Sequence, residues 1–371
     1  MRLLIGLMSG TSMDGIDAAL VDVDTNRLIS GITRPYSDKA KQFLQAVLAD
    51  ERAGPIAINQ LNTILGQEFG LSALELIDKS NTDPKKILAI GSHGQTICHD
   101  AAAEIPYTVQ LGCPHTIAEL TGITVVADFR TRDVVIGGQG APFAPIYHKT
   151  VFAKESMPLA VVNIGGISNV TFLQGKEVSG YDVGPGNCLM DRWVQQHLGL
   201  AYDAGGVWAA TGQVIEPLLI SLLTDPYFQL PAPKSLGKEY FSSDWLEKYL
   251  GAGFPPHDVQ ATLLAFTANT IADAIRQSPM QPQRVAICGG GVHNTKLLQT
   301  LAQQLPELQV ESTAAWGVDP DFMEAMMFAW LADQALKRNL LDLTGITGAR
   351  RSAILGAIYA AGIDKRNSIE V

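Results

Sequence analysis

The sequence predicts an α/β protein of two domains, and three observations carry that expectation. Apolar, strand-like runs end three times in glycine-rich turns, and the stretches between them place apolar residues at helical spacing. With 371 residues, 47% hydrophobic and 17% charged, the chain is long enough for two globular cores and too apolar to be disordered.

The first turn lies between two strands at the start of the chain, where Leu3 to Met8 runs into Ser9-Gly10-Thr11-Ser12-Met13-Asp14-Gly15 and a second apolar run follows from Ile16. Gly10 and Gly15 permit backbone angles closed to other residues, and Thr11 and Ser12 add hydroxyls to exposed amides, so the turn suits an anion such as phosphate. An ordinary polar hairpin tip would use the same residue types. The pattern recurs as Val162-Asn163-Ile164-Gly165-Gly166-Ile167-Ser168-Asn169 and as Ile287-Cys288-Gly289-Gly290-Gly291-Val292-His293-Asn294.

Two strand-turn-strand loops heading two half-chains, plus a later strand running through three glycines into a helix, form the layout of a two-domain actin-like (ribonuclease H-like) ATPase fold with a central cleft. In that layout ATP would meet Gly10, Thr11, Ser12, Met13, Asp14 and Gly15 on one hairpin, and Asn163, Gly165 and Gly166 on the other. Gly289, Gly290, Gly291 and Asn294 would lie under the adenosine. The opening hairpin, the segment Gly180-Tyr181-Asp182-Val183-Gly184-Pro185-Gly186-Asn187 and the turn from Cys288 to Asn294 together resemble the anhydro-N-acetylmuramic acid kinase family, over essentially the whole chain.

Taken in order, the chain predicts a third strand near 28–32, helices over 38–48 and 56–78, and a strand over 86–91. The second helix shows an apolar stripe of Ile58, Leu61, Leu65, Phe69, Leu71 and Leu74. A short helix over 114–122 is marked by Pro114 near its start and Gly122 after its end, and a strand follows over 124–127. The stretch 142–158 is the expected crossover, giving domains of 1–145 and 146–349, with a helix over 350–364 (352–361 in its regular part) as a further element of the first. Helices are also expected from His257 to Arg276 and over 320–337.

Several polar residues sit where such a fold places ligands. His93 and Gln95 follow a buried strand, and Arg130 follows another, where a guanidinium fork matches a carboxylate or phosphate. A surface hydrogen bond for His93 and a local pair with Asp128 or Asp133 for Arg132 are the plainer readings. Asp182 falls at a strand exit before a helix, the place for a general base, although a turn cap would also use it. Glu324 stands in the first turn of a helix, where the helix dipole favours a carboxylate in any case. The resemblance implies that His93, Gln95, Arg130 and Glu324 bind an amino sugar bearing a lactyl carboxylate, and that Asp182 activates water.

The resemblance also implies ATP and Mg²⁺ as cofactors. Actin-like kinases carry an Asp just before the first glycine of the loop, whereas this chain has Met8-Ser9, so the metal ligands stay open between Asp14 and Asp182. The formal charge of −10 argues against nucleic acid as a partner, and no apolar run reaches membrane-spanning length. A cytoplasmic enzyme acting on a small-molecule amino sugar and ATP is expected, with a homodimer left open. Cys98, Cys113, Cys188 and Cys288 show no metal or disulfide spacing and read as reduced, mostly buried thiols. P-loop, nucleophile-elbow and His-Glu-x-x-His motifs are absent. Two other readings share these features: a kinase for a different amino sugar, and a nucleotide-dependent assembly protein without small-molecule chemistry.

Overall fold

The computed structural model describes residues 1–10, 15–49, 53–232, 234–236, 240–251 and 253–362. Contacts divide the chain into two units, Met1–Ala141 with Phe322–Val371, and Pro142–Asp321. In the first unit β1 (Leu3–Met8), β2 (Ile16–Asp22) and β3 (Arg27–Arg34) precede α1 (Asp38–Ala49) and α2 (Pro55–Lys79). Then come β4 (Ile87–Ser92), a separate hairpin of β5 (Gln95–Asp100) and β6 (Tyr107–Leu111), α3 (Pro114–Thr121), β7 (Val125–Ala127) and α4 (Phe129–Val135). The second unit holds α5 (Ala144–Val151), β8 (Leu159–Ile164), β9 (Ile167–Gln174), β10 (Glu177–Pro185), α6 (Cys188–Leu198), α7 (Glu216–Leu223) and α8 (Ser243–Glu247). It continues through α9 (Pro256–Arg276), β11 (Arg284–Cys288), α10 (Thr295–Gln304) and β12 (Gln309–Ser312), after which α11 (Met323–Leu336) and β13 (Ala357–Tyr359) return to the first unit.

The two main sheets share one plan. In the first, β1 pairs antiparallel with β2 and β2 with β3, while the other edge of β1 pairs parallel with β4 and β4 with β7. In the second, β8, β9 and β10 form the same antiparallel meander, and β8 pairs parallel with β11, and β11 with β12. This repeated meander-plus-parallel order is the expected duplicated actin-like, ribonuclease H-like fold. All six residues of β1 and all six of β8 are buried, as central strands covered on both faces should be.

The unit boundaries differ from 145/146 and 349/350 for packing reasons. Helix α5 starts at Ala144 and lies on β9 and β10, so it belongs with the second sheet. Helix α11 lies on β1 and β4 of the first. Its backbone rests directly on a pair of glycines that face each other across those strands, Gly6 and Gly91. A methyl group on Gly6 would stand 1.7 Å from the Ala325 carbonyl oxygen, and one on Gly91 2.0 Å from that of Phe328.

Three further expectations are corrected. The helix over 350–364 does not form among the described residues; instead Ala353 bridges to Leu341 and β13 pairs antiparallel with β7. Gly356, at φ +86° and with Phe129 and Val126 each 2.9 Å from where a Cβ would stand, breaks the helical pattern that its Ala-rich neighbours suggest. On α2 the buried stripe runs through Leu61, Leu65, Phe69, Ala73 and Leu76, whereas Leu71 and Leu74 are exposed because they fall off that face. None of the four cysteines is in a disulfide, yet Cys98 is exposed and, of the four, Cys288 alone is fully buried. Helix α3, in contrast, ends at Gly122 with φ +62°, as its sequence predicts.

Within the second unit, His148 of α5 is buried and its Nδ1 lies 2.8 Å from the Thr171 hydroxyl of β9. Burial pushes its pKa down to about 3. The unfolded chain therefore binds more protons below about pH 6.5, so the stability this histidine carries is complete above that pH and is lost as the pH falls towards 3. At pH 5 the loss is expected to reach about 2 kcal/mol. Urea unfolding at pH 7 and pH 5 measures it, and His148→Leu should flatten the dependence.

Candidate active site

The first glycine turn is held at its start by one buried amide. Gln95, fully buried at the start of β5, donates from Nε2 to the Gly10 carbonyl at 3.2 Å, and its Oε1 lies 2.9 Å from the Ser9 hydroxyl. That hydroxyl also lies 2.8 Å from the Gly15 carbonyl, and Tyr36 donates to the same Oε1 at 3.2 Å. Burial pushes the Tyr36 pKa up and keeps its phenol a donor. Gln95 therefore braces the turn from within. Thr11, Ser12, Met13 and Asp14 lie outside the described residues.

A second cluster in the same unit joins β4, α4 and α11. The His93 backbone amide, just past β4, donates to the Leu7 carbonyl at 3.0 Å and fixes where the ring stands. Arg130 turns inward from α4 and donates through Nε to His93 Nε2 at 2.9 Å and through Nη1 to the Gly140 carbonyl at 2.6 Å, while Arg132 is exposed. An Nε2 that accepts carries no proton, so the ring is neutral with its hydrogen on Nδ1. Burial first, and the Arg130 charge second, hold the His93 pKa well below its ordinary value. The ring also packs on Phe328 at 4.7 Å between centroids, and Phe328 lies 5.5 Å from Phe129 beside Arg130. Half-buried Glu324 precedes Phe328 by four residues, so it occupies the same face of α11 one turn nearer the N-terminus.

In the second unit the other two turns meet. The hairpin tip is held by the entry to α6: Gly186 N–H and Cys188 N–H donate to the Gly166 carbonyl at 2.9 and 3.1 Å, and Asn187 N–H to that of Gly165 at 2.8 Å. Cys288 at the end of β11 pairs with Asn163 of β8, which brings Gly289 to Gly291 against this tip. A methyl group on Gly291 would stand 2.4 Å from the Ile164 side chain. Asn294 is the cap of α10, its Oδ1 accepting from Leu297 N–H at 3.0 Å.

Asp182 is half-buried, and its Oδ2 accepts from the Leu236 amide at 2.9 Å. It lies inside β10 rather than at the end of a short strand, because Gly184 and Pro185 continue to pair with Ser168 and Ile167 beyond a bulge at Val183. Bulges re-aim side chains, and they concentrate beside active sites. In register, Asp182 faces Asn169 of β9, which faces Asn163 of β8, so three polar side chains share one face of the sheet.

The profile of the family described as anhydro-N-acetylmuramic acid kinase matches residues 2–361. This chain belongs to that family. A relative of the same description from Legionella pneumophila (strain Corby) is 55% identical over 97% of this chain and 98% of its own. One from Coxiella burnetii (strain Dugway 5J108-111) is 45% identical over 96% of each. Among solved structures, the Acidaminococcus fermentans (R)-2-hydroxyglutaryl-CoA dehydratase component A is similar at 9% identity and a TM-score of 0.48, covering 89% of this chain and 97% of its own.

The structure adds groups to these clusters that the sequence left without a place in them. Asp133, fully buried, accepts from Gly140 N–H at 2.7 Å and from the Thr347 hydroxyl at 2.9 Å, and so fixes the carbonyl that holds Arg130. Its place one helical turn after Arg130 was a legible signal. Asn169 was legible too, since Asn163 and Asn169 each stand three residues from Gly166. The Leu236 amide was not, because a backbone donor leaves no mark in a side-chain pattern.

Proposed function

We propose that this member of the anhydro-N-acetylmuramic acid kinase family opens the 1,6-anhydro bridge of that sugar with water and phosphorylates it with ATP, giving N-acetylmuramate 6-phosphate and ADP. The observation that carries the reading is the family match over nearly the whole chain. The clusters described above support the division of labour. His93, Arg130 and Glu324 recognise the sugar: Arg130 meets the lactyl carboxylate, the neutral His93 orients Arg130, and Glu324 accepts from a sugar hydroxyl. Gln95 serves them by holding the first turn. The turns at Gly10 to Gly15 and at Gly165-Gly166 grip the phosphates, and the Gly289 to Gly291 turn, with Asn294 capping α10, lies under the adenosine.

Asp182 takes a proton from the water whose oxygen attacks the anomeric carbon. The bond from that carbon to O6 breaks, O6 takes the γ-phosphoryl group, ADP leaves, and the proton passes from Asp182 to solvent. No cluster of three or more His, Cys, Asp or Glu suited to a metal occurs among the described residues. A single strand carboxylate fits Mg²⁺ well enough, because that ion binds mainly through phosphates, water and one or two carboxylates. Asp182 or, outside the described residues, Asp14 would hold it, and when bound it would neutralise phosphate charge.

A coupled ADP-release assay across sugars tests the reading. ADP should form only with the anhydro sugar and not with its ring-opened form; hydrolysis of ATP independent of sugar would overturn the assignment. Mg-ATP at a hundredfold excess over its dissociation constant should stabilise the protein by about 2.7 kcal/mol. In Gly289→Ala, whose methyl group would stand 2.3 Å from Asn163 Oδ1 at φ +79°, most of that ligand-induced shift should vanish.

A further inference from the structure

One stretch of the second unit grips Asp182 at three points. The Asp182 backbone N–H donates to the Lys234 carbonyl at 3.2 Å, its backbone carbonyl accepts from the Tyr227 hydroxyl, and its Oδ2 accepts from the Leu236 N–H at 2.9 Å. Strand β10 is the edge of its sheet, so this stretch covers the exposed edge at the residue assigned as the base.

The grip is itself anchored. Tyr227 is buried, and its N–H donates to Asp225 Oδ1 at 2.9 Å. Asp225, also buried, accepts from the Tyr240 hydroxyl at 2.7 Å and from the Trp245 indole at 2.8 Å. Lys234 Nζ closes the assembly, 3.3 Å from the Tyr227 carbonyl and 4.5 Å above its ring. Burial first, and the Asp182 charge second, push the Tyr227 pKa up, so its phenol stays a donor.

Resting on the reading of Asp182 as the base, we propose that Tyr227 and the Leu236 amide are positioning groups for attack by water: the Tyr227 hydroxyl holds the strand backbone that carries the carboxylate, and the Leu236 amide sets the carboxylate's rotamer. A strand aspartate turns about two side-chain torsions. The two backbone bonds fix the strand from which the side chain springs, and the Oδ2 bond restrains its torsions before substrate arrives; displacement of a catalytic group by about 1 Å can cost on the order of a hundredfold in rate.

Two changes test this, each removing one donor. The first replaces the Leu236 amide N–H by an ester oxygen; the second is Tyr227→Phe. In each, kcat should fall about tenfold or more with both KM values and Tm unchanged. Placed in an Asp182→Asn background, neither should lower the residual rate further, because the group they position no longer takes a proton. Unchanged kcat in both, or the same loss in the Asp182→Asn background, would overturn the positioning role while leaving the base assignment standing. Full turnover in Asp182→Asn itself would overturn the base assignment and this inference with it.

Discussion

Replacing Asp182 with asparagine is expected to leave nucleotide and sugar binding nearly intact while turnover falls by about a hundred- to ten-thousandfold, the usual worth of a positioned base. Asparagine keeps the size and still offers an oxygen to the Leu236 amide, so β10 and its bulge should survive. It cannot take the proton from water. Titration calorimetry with each ligand, together with the ADP assay, separates binding from turnover. In ¹⁸O-labelled water the wild type should place label on the anomeric oxygen and none in the transferred phosphoryl group. Label in the phosphate, or a variant with most of its activity, would remove Asp182 from the role.

Gly6→Ala is expected to be the most damaging single methyl group in the first unit. The added carbon would overlap the Ala325 carbonyl and stand 2.8 Å from the Ala329 nitrogen, and both are helix backbone that no rotamer change can move. Helix α11 must lift away from β1, at a cost of about 3 kcal/mol or more. Because α11 carries Glu324 and Phe328, the sugar KM should rise in whatever protein remains folded. The KM for ATP should change less. Urea titration gives the first quantity and steady-state kinetics the second; a wild-type unfolding midpoint would show that the helix backbone does not rest on this glycine.

Much of the architecture could be read in advance because its signals are local. The hairpins β1–β2 and β8–β9, the proline and glycine bracketing α3, and the three glycine turns each announce themselves within a dozen residues. What escaped depends on distant partners. The hairpin β5–β6 lies in a sheet of its own, outside the two main ones, and α4 is a seven-residue helix entered through Asp128 in a left-handed conformation. Residues 353–359 carry helix-forming side chains, yet they meet Leu341 and an unfilled edge of β7. At the site, the meeting of His93 with Arg130 required knowing that β4 and β7 are parallel neighbours. Gln95 was legible as important, whereas its part as a buried brace shows only once its three partners are in place.

The insertion of the second unit within the first has a consequence for synthesis. The second sheet is encoded in one continuous stretch, so it can close as soon as β12 has left the ribosome. The first sheet has its meander almost at once, yet the face formed by Gly6 and Gly91 has no cover until α11 emerges. At about 5–20 residues per second, the interval while Pro142–Asp321 is made lasts on the order of ten to forty seconds. Throughout it the earliest strands of the chain stand uncovered on one side, so the part of the protein made first is the part most exposed to aggregation and most dependent on chaperones.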